Sequence, residues 1–362
     1  MIPVLHLRQG SALYGADRAV LALSASMPPP YVPIVGAITR PGTPHPLAEE
    51  ARRRGLAAVR FDSASRFDLG CARAVARLSI EQGVRLLHAH DFKALFIAVV
   101  AGILARVPVV VTFHGETRST VPVRVYELVA RLLGNFTRGV AAVSRALERK
   151  LKRWVRVAPV AFVPNGLPPA APISMAERKA ARASLGLEDG AYVIAALGRL
   201  APEKGHRILL KAAQGLPATL LIAGDGPLRD TLAAAAQGLD ARFLGYREDV
   251  RSVFAAADVI ALPSLTEGLP LVALEALALG RCVVASAVGE LPELLADGAG
   301  IVVPPGDAQA LSDALARLRD PAVRAPLAAR ALLRARAYEV AAMAGAYASL
   351  YGRALSPSSS SR

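Results

Sequence analysis

The sequence predicts an α/β protein made of two Rossmann-like, doubly wound domains with a cleft between them. Three observations carry this. Short apolar runs bounded by Gly or Pro alternate with Ala-, Leu- and Arg-rich helical segments along the whole chain, the pattern of parallel strands buried on both faces. The alternation occurs in two series, separated by the Pro/Ala-rich stretch Leu167–Pro172 that follows Pro164-Asn165-Gly166 and reads as a linker. The length of 362 residues is enough for two ordinary domains with a sizeable core.

In the first series, strands are expected at Val4–Leu7, Val32–Ile38, Ala57–Phe61, Arg85–Ala89, Val109–Phe113, Gly139–Val143 and Val160–Val163. In the second they are expected at Val193–Leu197, Thr219–Ala223, Ala241–Leu244, Val259–Leu262, Cys282–Ala285 and Ile301–Val303. The expected domains are residues 1–166 and 173–337. A C-terminal helix over about 338–353 is expected to return to the first domain, and 354–362 reads as a disordered tail. In such folds ligands gather at the carboxyl ends of the strands, so the loops there carry the function.

Composition narrows the function classes. Cys71 and Cys282 stand far apart without a partner motif, which supports neither a disulfide framework nor a zinc site and fits a reducing compartment. The N-terminus MIPVLHLRQG lacks a basic flank followed by a long apolar region. The apolar run Ala94–Ala105 is too short to span a bilayer before Arg106 and Pro108 interrupt it. A cytoplasmic protein is expected, with peripheral attachment to the inner face of the cytoplasmic membrane as a further option. The charge of +14 is uneven: residues 1–166 carry 23 Lys and Arg against 10 Asp and Glu, residues 167–362 carry 20 against 19. A basic first half suggests an anionic partner such as a membrane surface, a phosphorylated acceptor or nucleic acid. Nucleic acid fits poorly, because the basic helices lack interleaved aromatics or a reading motif.

After the first strand comes a Gly-containing turn into a helix, Gly10 to Arg18, with Gly15 inside it. After the fourth comes His88-Ala-His90-Asp91, and after the fifth Thr112-Phe-His114-Gly115-Glu116. His88 reads as a core histidine within its strand, while His90 and His114 sit at strand ends where solvent or ligand begins. A histidine zinc site would need three sequence-distant ligands to converge, and no HxxxH pair supports one.

In the second half, Gly198-Arg199-Leu200-Ala-Pro-Glu203-Lys204-Gly205-His206 follows a strand and leads into a helix. Arg offers a planar fork and Lys a point charge, a combination suited to a diphosphate; the plain alternative is two solvated loop charges. The loop at Gly224-Asp225-Gly226 resembles a dinucleotide fingerprint only superficially, since Arg229 stands where a third glycine is required, and this argues against NAD. Gly245-Tyr246-Arg247 offers backbone groups that could hold a flat base. The stretch Leu262–Gly280, LPSLTEGLPLVALEALALG, places Glu267 in a loop and Glu275 about a turn and a half into a helix. Pro270 is expected in that helix's first turn. The amides near Gly268 and Leu269 would lie at the positive end of the helix dipole, a seat for phosphate. The plain alternative makes Glu267 a cap and Glu275 a solvated side chain.

Taken together, GRLAPEKG, AGDGPLRD, LGYREDV, PSLTEGLPLVALEALALG and SAVGELPELL resemble, in order and spacing, the retaining family-4 glycosyltransferases of the two-domain GT-B fold. That resemblance implies that Arg199 and Lys204 hold the nucleotide diphosphate, that Glu267 contacts hydroxyls of the transferred sugar and that Glu275 accepts hydrogen bonds from the ribose. It brings Gly268 and Leu269 to the diphosphate or sugar and His114 to the donor sugar, with Gly15, Gly198, Gly226 and Tyr246 also on the donor side. Arg18, His90 and Asp91 are acceptor-side candidates. Tyr14-Gly15 replaces the family's usual pair of glycines.

The implied activity is transfer of a hexose-type sugar, with retention, from a nucleotide-diphosphate sugar to a hydroxyl of a glycan or glycolipid, in lipopolysaccharide, exopolysaccharide or glycolipid assembly. Such chemistry needs leaving-group stabilisation more than a strong base. No Asp-x-Asp follows a strand, so no metal and no other cofactor is expected. Between Thr117 and Arg138, Arg124, Arg131 and Arg138 recur every seven residues beside Val125, Leu128, Val129, Leu132 and Leu133. This segment and the cluster Arg145–Arg156 suit either docking on an anionic membrane or an ordinary solvated basic face. Competing readings are a nucleotide-sugar 2-epimerase of the same architecture and a catalytically silent nucleotide-sugar-binding subunit.

Overall fold

The first seven strands are β1 (Ile2–Gln9), β2 (Tyr31–Thr39), β3 (Ala57–Asp62), β4 (Leu86–Ala89), β5 (Val109–Phe113), β6 (Gly139–Ala142) and β7 (Val160–Phe162). They form one parallel sheet in the order β3-β2-β1-β4-β5-β6-β7. The next six are β8 (Val193–Leu197), β9 (Thr219–Ala223), β10 (Ala241–Gly245), β11 (Val259–Leu262), β12 (Cys282–Ser286) and β13 (Ile301–Val303). Their sheet runs β10-β9-β8-β11-β12-β13, also parallel. Both orders reverse direction beside the first strand, as a doubly wound sheet does. This computed structural model describes residues 1–10, 13–43, 45–115 and 121–356, without the side chains of 121–123.

The chain divides into two compact units, Met1–Pro168 with the chain from Glu339 onward, and Pro169–Tyr338. Each has its own core. In the first unit Leu5, Leu7, Leu87, Val109 and Val111 pack with the helices Leu69–Glu81 and Phe92–Ala105 on one face of the sheet. The other face, through Val4, Leu86, Val110 and Ala141, is covered by the C-terminal helix Val340–Leu355. That helix continues two residues into the stretch expected as tail. Between helix and sheet runs a buried polar thread: His88 Nδ1 to Tyr351 Oη (2.6 Å), His88 Nε2 to Thr112 Oγ1 (2.7 Å) and Thr112 Oγ1 to Tyr347 Oη (2.8 Å). Each polar atom buried there keeps a partner, so the interface carries no desolvated orphan along this line.

In the second unit Ile194, Ala196, Leu220, Ile222, Val259 and Val284 form the sheet's part of the core. At the amino end of β11, buried Asp258 accepts from Arg182 (2.8 Å), Arg178 (2.8 Å) and Arg324 (3.1 Å). These ion pairs fasten the helices Met175–Ser184 and Pro321–Ala335 to the edge of the sheet opposite the functional loops. Side-chain oxygens at the N-caps start several helices, among them Asp91 on Ala94, Asp68 on Cys71, Ser174 on Glu177 and Asp307 on Ala310. Among the described residues no helix is long and apolar enough to cross a membrane.

Candidate functional site

In the second unit the loops following β8, β9, β11 and β12 are joined to one another by backbone hydrogen bonds. Leu265 N–H donates to the Glu203 carbonyl (2.8 Å), Glu290 N–H to the Gly268 carbonyl (2.9 Å) and Leu200 N–H to the Asp225 carbonyl (2.9 Å). Gly205 adopts φ +66, and a Cβ there would stand 2.0 Å from the Pro263 carbonyl, so only glycine lets the loop after β8 close on the end of β11. A Cβ on Gly226 would stand 2.6 Å from the Leu200 carbonyl. Glycine at 226 is thus required by the neighbouring loop, whatever else it meets.

This frame brings Lys204 and Glu267 together. Lys204 Nζ donates to Glu267 Oε1 at 2.6 Å, and Ser264 Oγ donates to the same oxygen at 2.8 Å. Arg199, exposed at the rim, is paired with Glu203. Both cations are therefore charge-compensated inside the chain. The helix after Glu267 spans Leu271–Ala278, with Pro270 just before it in an extended conformation rather than in its first turn. A cap residue takes non-helical ψ, and Pro270 does so at 131°. Glu275 is then the fifth residue of the helix, and it is buried. Leu269 is buried and Tyr246 is exposed beyond β10. Next to Lys204, burial lowers the His206 imidazole to about 4, with the lysine charge adding to the effect.

In the first unit Gly15 opens the helix Gly15–Ser26, in whose first turn Arg18 also lies, and a Cβ on Gly15 would meet open space. Ser11, Ala12 and Glu116–Thr120 lie outside the described residues. Asp91 spends both oxygens on the protein: Oδ1 accepts Ala94 N–H (2.9 Å), and Oδ2 accepts Gln9 N–H (2.7 Å) and Arg8 Nη1 (3.5 Å). It is a helix cap as well as an acceptor-side candidate.

His90 does not stand at the edge of solvent. It is buried, with Nε2 3.1 Å from His6 Nδ1 and Nδ1 3.3 Å from His114 Nε2. The convergence of histidines that the sequence argues against does occur, through His6, which β1 places in register beside His88. One nitrogen from each of His6, His88 and His90 lies within 4.8 Å of the others. Both nitrogens of His88 and of His90 are already hydrogen-bonded, and among the described residues no carboxylate or thiol joins the set. The donor set fits a hydrogen-bonded cluster better than a metal centre. Burial holds all four imidazoles neutral: His6 and His114 are lowered to about 3, and His88 and His90 well below the ordinary value.

Three residues of these clusters carry no flag in the sequence. Ser264 lies three residues before Glu267 in a turn, a spacing at which a hydroxyl can reach back, and that is its only signal. Glu203 reads as one loop charge among several. His6 looks like a strand residue, and only the β1–β4 pairing gives it meaning.

Known structures give the fold. The chain is similar to Anabaena Alr3699/HepE, solved in complex with UDP and glucose, at 24% identity over 97% of this chain and 100% of that one, with a TM-score of 0.86. It is also similar to sucrose-phosphate synthase of Thermosynechococcus elongatus, at 23% identity over 98% and 99% of the two chains and a TM-score of 0.78. Two parallel-sheet, Rossmann-like units with these neighbours define a GT-B protein. Residues 15–171 match the profile described as Glycosyltransferase Family 4, and residues 191–320 the profile described as Glycosyl transferases group 1. A D-inositol 3-phosphate glycosyltransferase of Mycobacterium avium is 40% identical over 179 residues, 46% of this chain and 41% of its own length. The chain thus spans about two fifths of that relative. It belongs to the group 1, family 4 glycosyltransferases of GT-B fold.

Proposed function

We propose that the protein transfers a hexose-type sugar, with retention of configuration, from a nucleotide-diphosphate sugar to a hydroxyl group of a glycan or glycolipid. The observation that carries this reading is the Lys204–Glu267 pair, 2.6 Å apart and anchored by Ser264 at the carboxyl ends of β8 and β11. In this reading the donor's diphosphate exchanges places with the carboxylates: Arg199 leaves Glu203 and Lys204 leaves Glu267 to take phosphate oxygens. Glu267, released from the cation, turns its oxygens to sugar hydroxyls, and Glu275 accepts from the ribose. Gly268 and Leu269 meet the diphosphate or sugar, Gly198 and Gly226 line the phosphate side, and Tyr246 borders the base. The family resemblance also gives His114 and Gly15 donor-side roles and Arg18 an acceptor-side role.

The chemistry requires the departing diphosphate to be neutralised as positive charge develops on the anomeric carbon. Two cations supply this, and the leaving phosphate oxygen takes the acceptor proton, so neither carboxylate acts as nucleophile or base. No metal is assigned a role. UDP and glucose in the HepE complex support a UDP-sugar as the first donor to try. Incubation with UDP-, GDP- and ADP-sugars, following slow donor hydrolysis, tests the reading; consumption of none of them counts against it.

We also propose that the first unit docks on an anionic membrane surface. Asn135 accepts the Arg156 and Val157 N–H groups and donates to the Trp154 carbonyl, which ties the turn before Phe136 to the segment Trp154–Val157. Phe136, Trp154 and Val157 are 69%, 41% and 77% exposed, and Arg138, Lys152, Arg153 and Arg156 in the same two segments are exposed as well. Exposed aromatic and basic side chains on joined segments suit the interface of an anionic bilayer.

A further inference from the structure

Within the second unit the backbone around Glu267 is fixed by its neighbouring loops. Leu265 N–H donates to the Glu203 carbonyl (2.8 Å) and Glu290 N–H to the Gly268 carbonyl (2.9 Å). A Cβ on Gly289 would stand 2.3 Å from the Gly268 carbonyl oxygen and 2.5 Å from that of Glu267, so the loop after β12 lies directly against these peptides. What the backbone leaves open is the direction of the carboxylate, because the terminal torsion of a glutamate has only broad, shallow preferences of its own.

That direction is set by two donors on one oxygen. Lys204 Nζ and Ser264 Oγ both donate to Glu267 Oε1, at 2.6 and 2.8 Å. A carboxylate oxygen offers about two lone-pair directions, so the two donors together fill Oε1. They differ in kind. Lys204 is a partly exposed cation on a long, flexible stem, and a diphosphate competes for it strongly. Ser264 is a buried, neutral hydroxyl on a short side chain, two residues past the end of β11.

We propose that Ser264 is a positioning residue for Glu267: when the donor draws Lys204 away, the serine hydroxyl keeps Oε1 and holds the carboxylate in one orientation, with Oε2 and the direction vacated by the lysine turned to the sugar hydroxyls. This rests on the roles given to Lys204 and Glu267 above. Without the hydroxyl, the carboxylate loses its second donor at the moment it loses its first, and its orientation has to be found again in every turnover. All three residues belong to the second unit, and Ser264→Ala removes one oxygen while leaving the backbone hydrogen bonds of the loop in place.

A double-mutant cycle tests this, run with the donor that the wild type consumes from a panel of UDP-, GDP- and ADP-sugars and with the matching nucleoside diphosphate as binding probe. Ser264→Ala should lower kcat on the order of tenfold, while donor KM and the Kd of the nucleoside diphosphate stay within about twofold of wild type. In the Glu267→Ala background the same substitution should change kcat by less than about twofold, because no carboxylate remains to be positioned. Wild-type kcat in Ser264→Ala beside an impaired Glu267→Ala overturns the proposal. A loss that persists undiminished in the Glu267→Ala background also overturns it, since the serine then acts elsewhere. So does a fall in nucleoside-diphosphate affinity that matches the fall in kcat, which ties the serine to the phosphate seat. Full turnover in Glu267→Ala is a different failure: it removes the role of Glu267 itself and with it the reading on which the proposal rests.

Discussion

Lys204 Nζ lies 2.6 Å from Glu267 Oε1 although the two residues are 63 positions apart. The pair holds a cation and a carboxylate on adjoining loops, and in the proposed reaction a donor would separate them. The charge proposed to stabilise a leaving diphosphate would then be in place before the reaction, with little reorganisation required.

Removing the cation tests this. Lys204→Ala should lower turnover far more than it raises donor KM, with a loss on the order of 3 kcal/mol of barrier stabilisation. Steady-state kinetics with the preferred donor measures both, and turnover near wild type contradicts the assignment.

The two carboxylates should separate by role. Glu275→Ala should mainly weaken nucleotide binding, read by titration with the nucleoside diphosphate, whereas Glu267→Ala should mainly reduce transfer. The reverse pattern would exchange their roles.

Gly205→Ala should destabilise the second unit by about 1–3 kcal/mol, because the residue keeps a positive φ and its Cβ would collide with the Pro263 carbonyl. Since Lys204 precedes it, turnover should also fall. Urea unfolding with an unchanged midpoint would show that the loop yields freely.

The buried histidines make stability fall on the acid side. His6, His88, His90 and His114 have folded values below their unfolded value of about 6.5, so the folded chain binds fewer protons than the unfolded one. Their contribution is complete above pH 6.5 and is lost as pH drops below it, by at most about 1.4 kcal/mol per pH unit for each ring. Thermal melts at pH 7, 6 and 5 should show a progressive drop in Tm; a flat series contradicts neutral burial.

Liposomes containing anionic lipid should retain the protein at low salt and release it at high salt. Phe136→Ser with Trp154→Ser should weaken retention. Wild-type protein that ignores such vesicles removes the membrane role.

The strands were legible because parallel sheets need continuous apolar runs, and Val109–Phe113, Val193–Leu197, Thr219–Ala223, Val259–Leu262 and Ile301–Val303 match the structure residue for residue. Elsewhere the ends shift by one or two residues, as at β1, where Arg8 and Gln9 extend the strand to reach Asp91. The buried position of His90 was not legible. Residues 88 and 90 share a face of the strand by alternation, but which strand lies alongside, and hence the meeting with His6, is a matter of sheet order. The partners of Arg199 and Lys204 were equally hidden, since Glu203 and Glu267 approach them only once the loops have closed around Gly205.

The most direct test of the account follows the anomeric carbon by proton NMR during turnover of an α-linked nucleotide-diphosphate sugar. The account predicts release of the nucleoside diphosphate with the sugar first appearing in the α configuration. A first-formed β product, or a sugar epimerised at C2 in place of transfer, would contradict it.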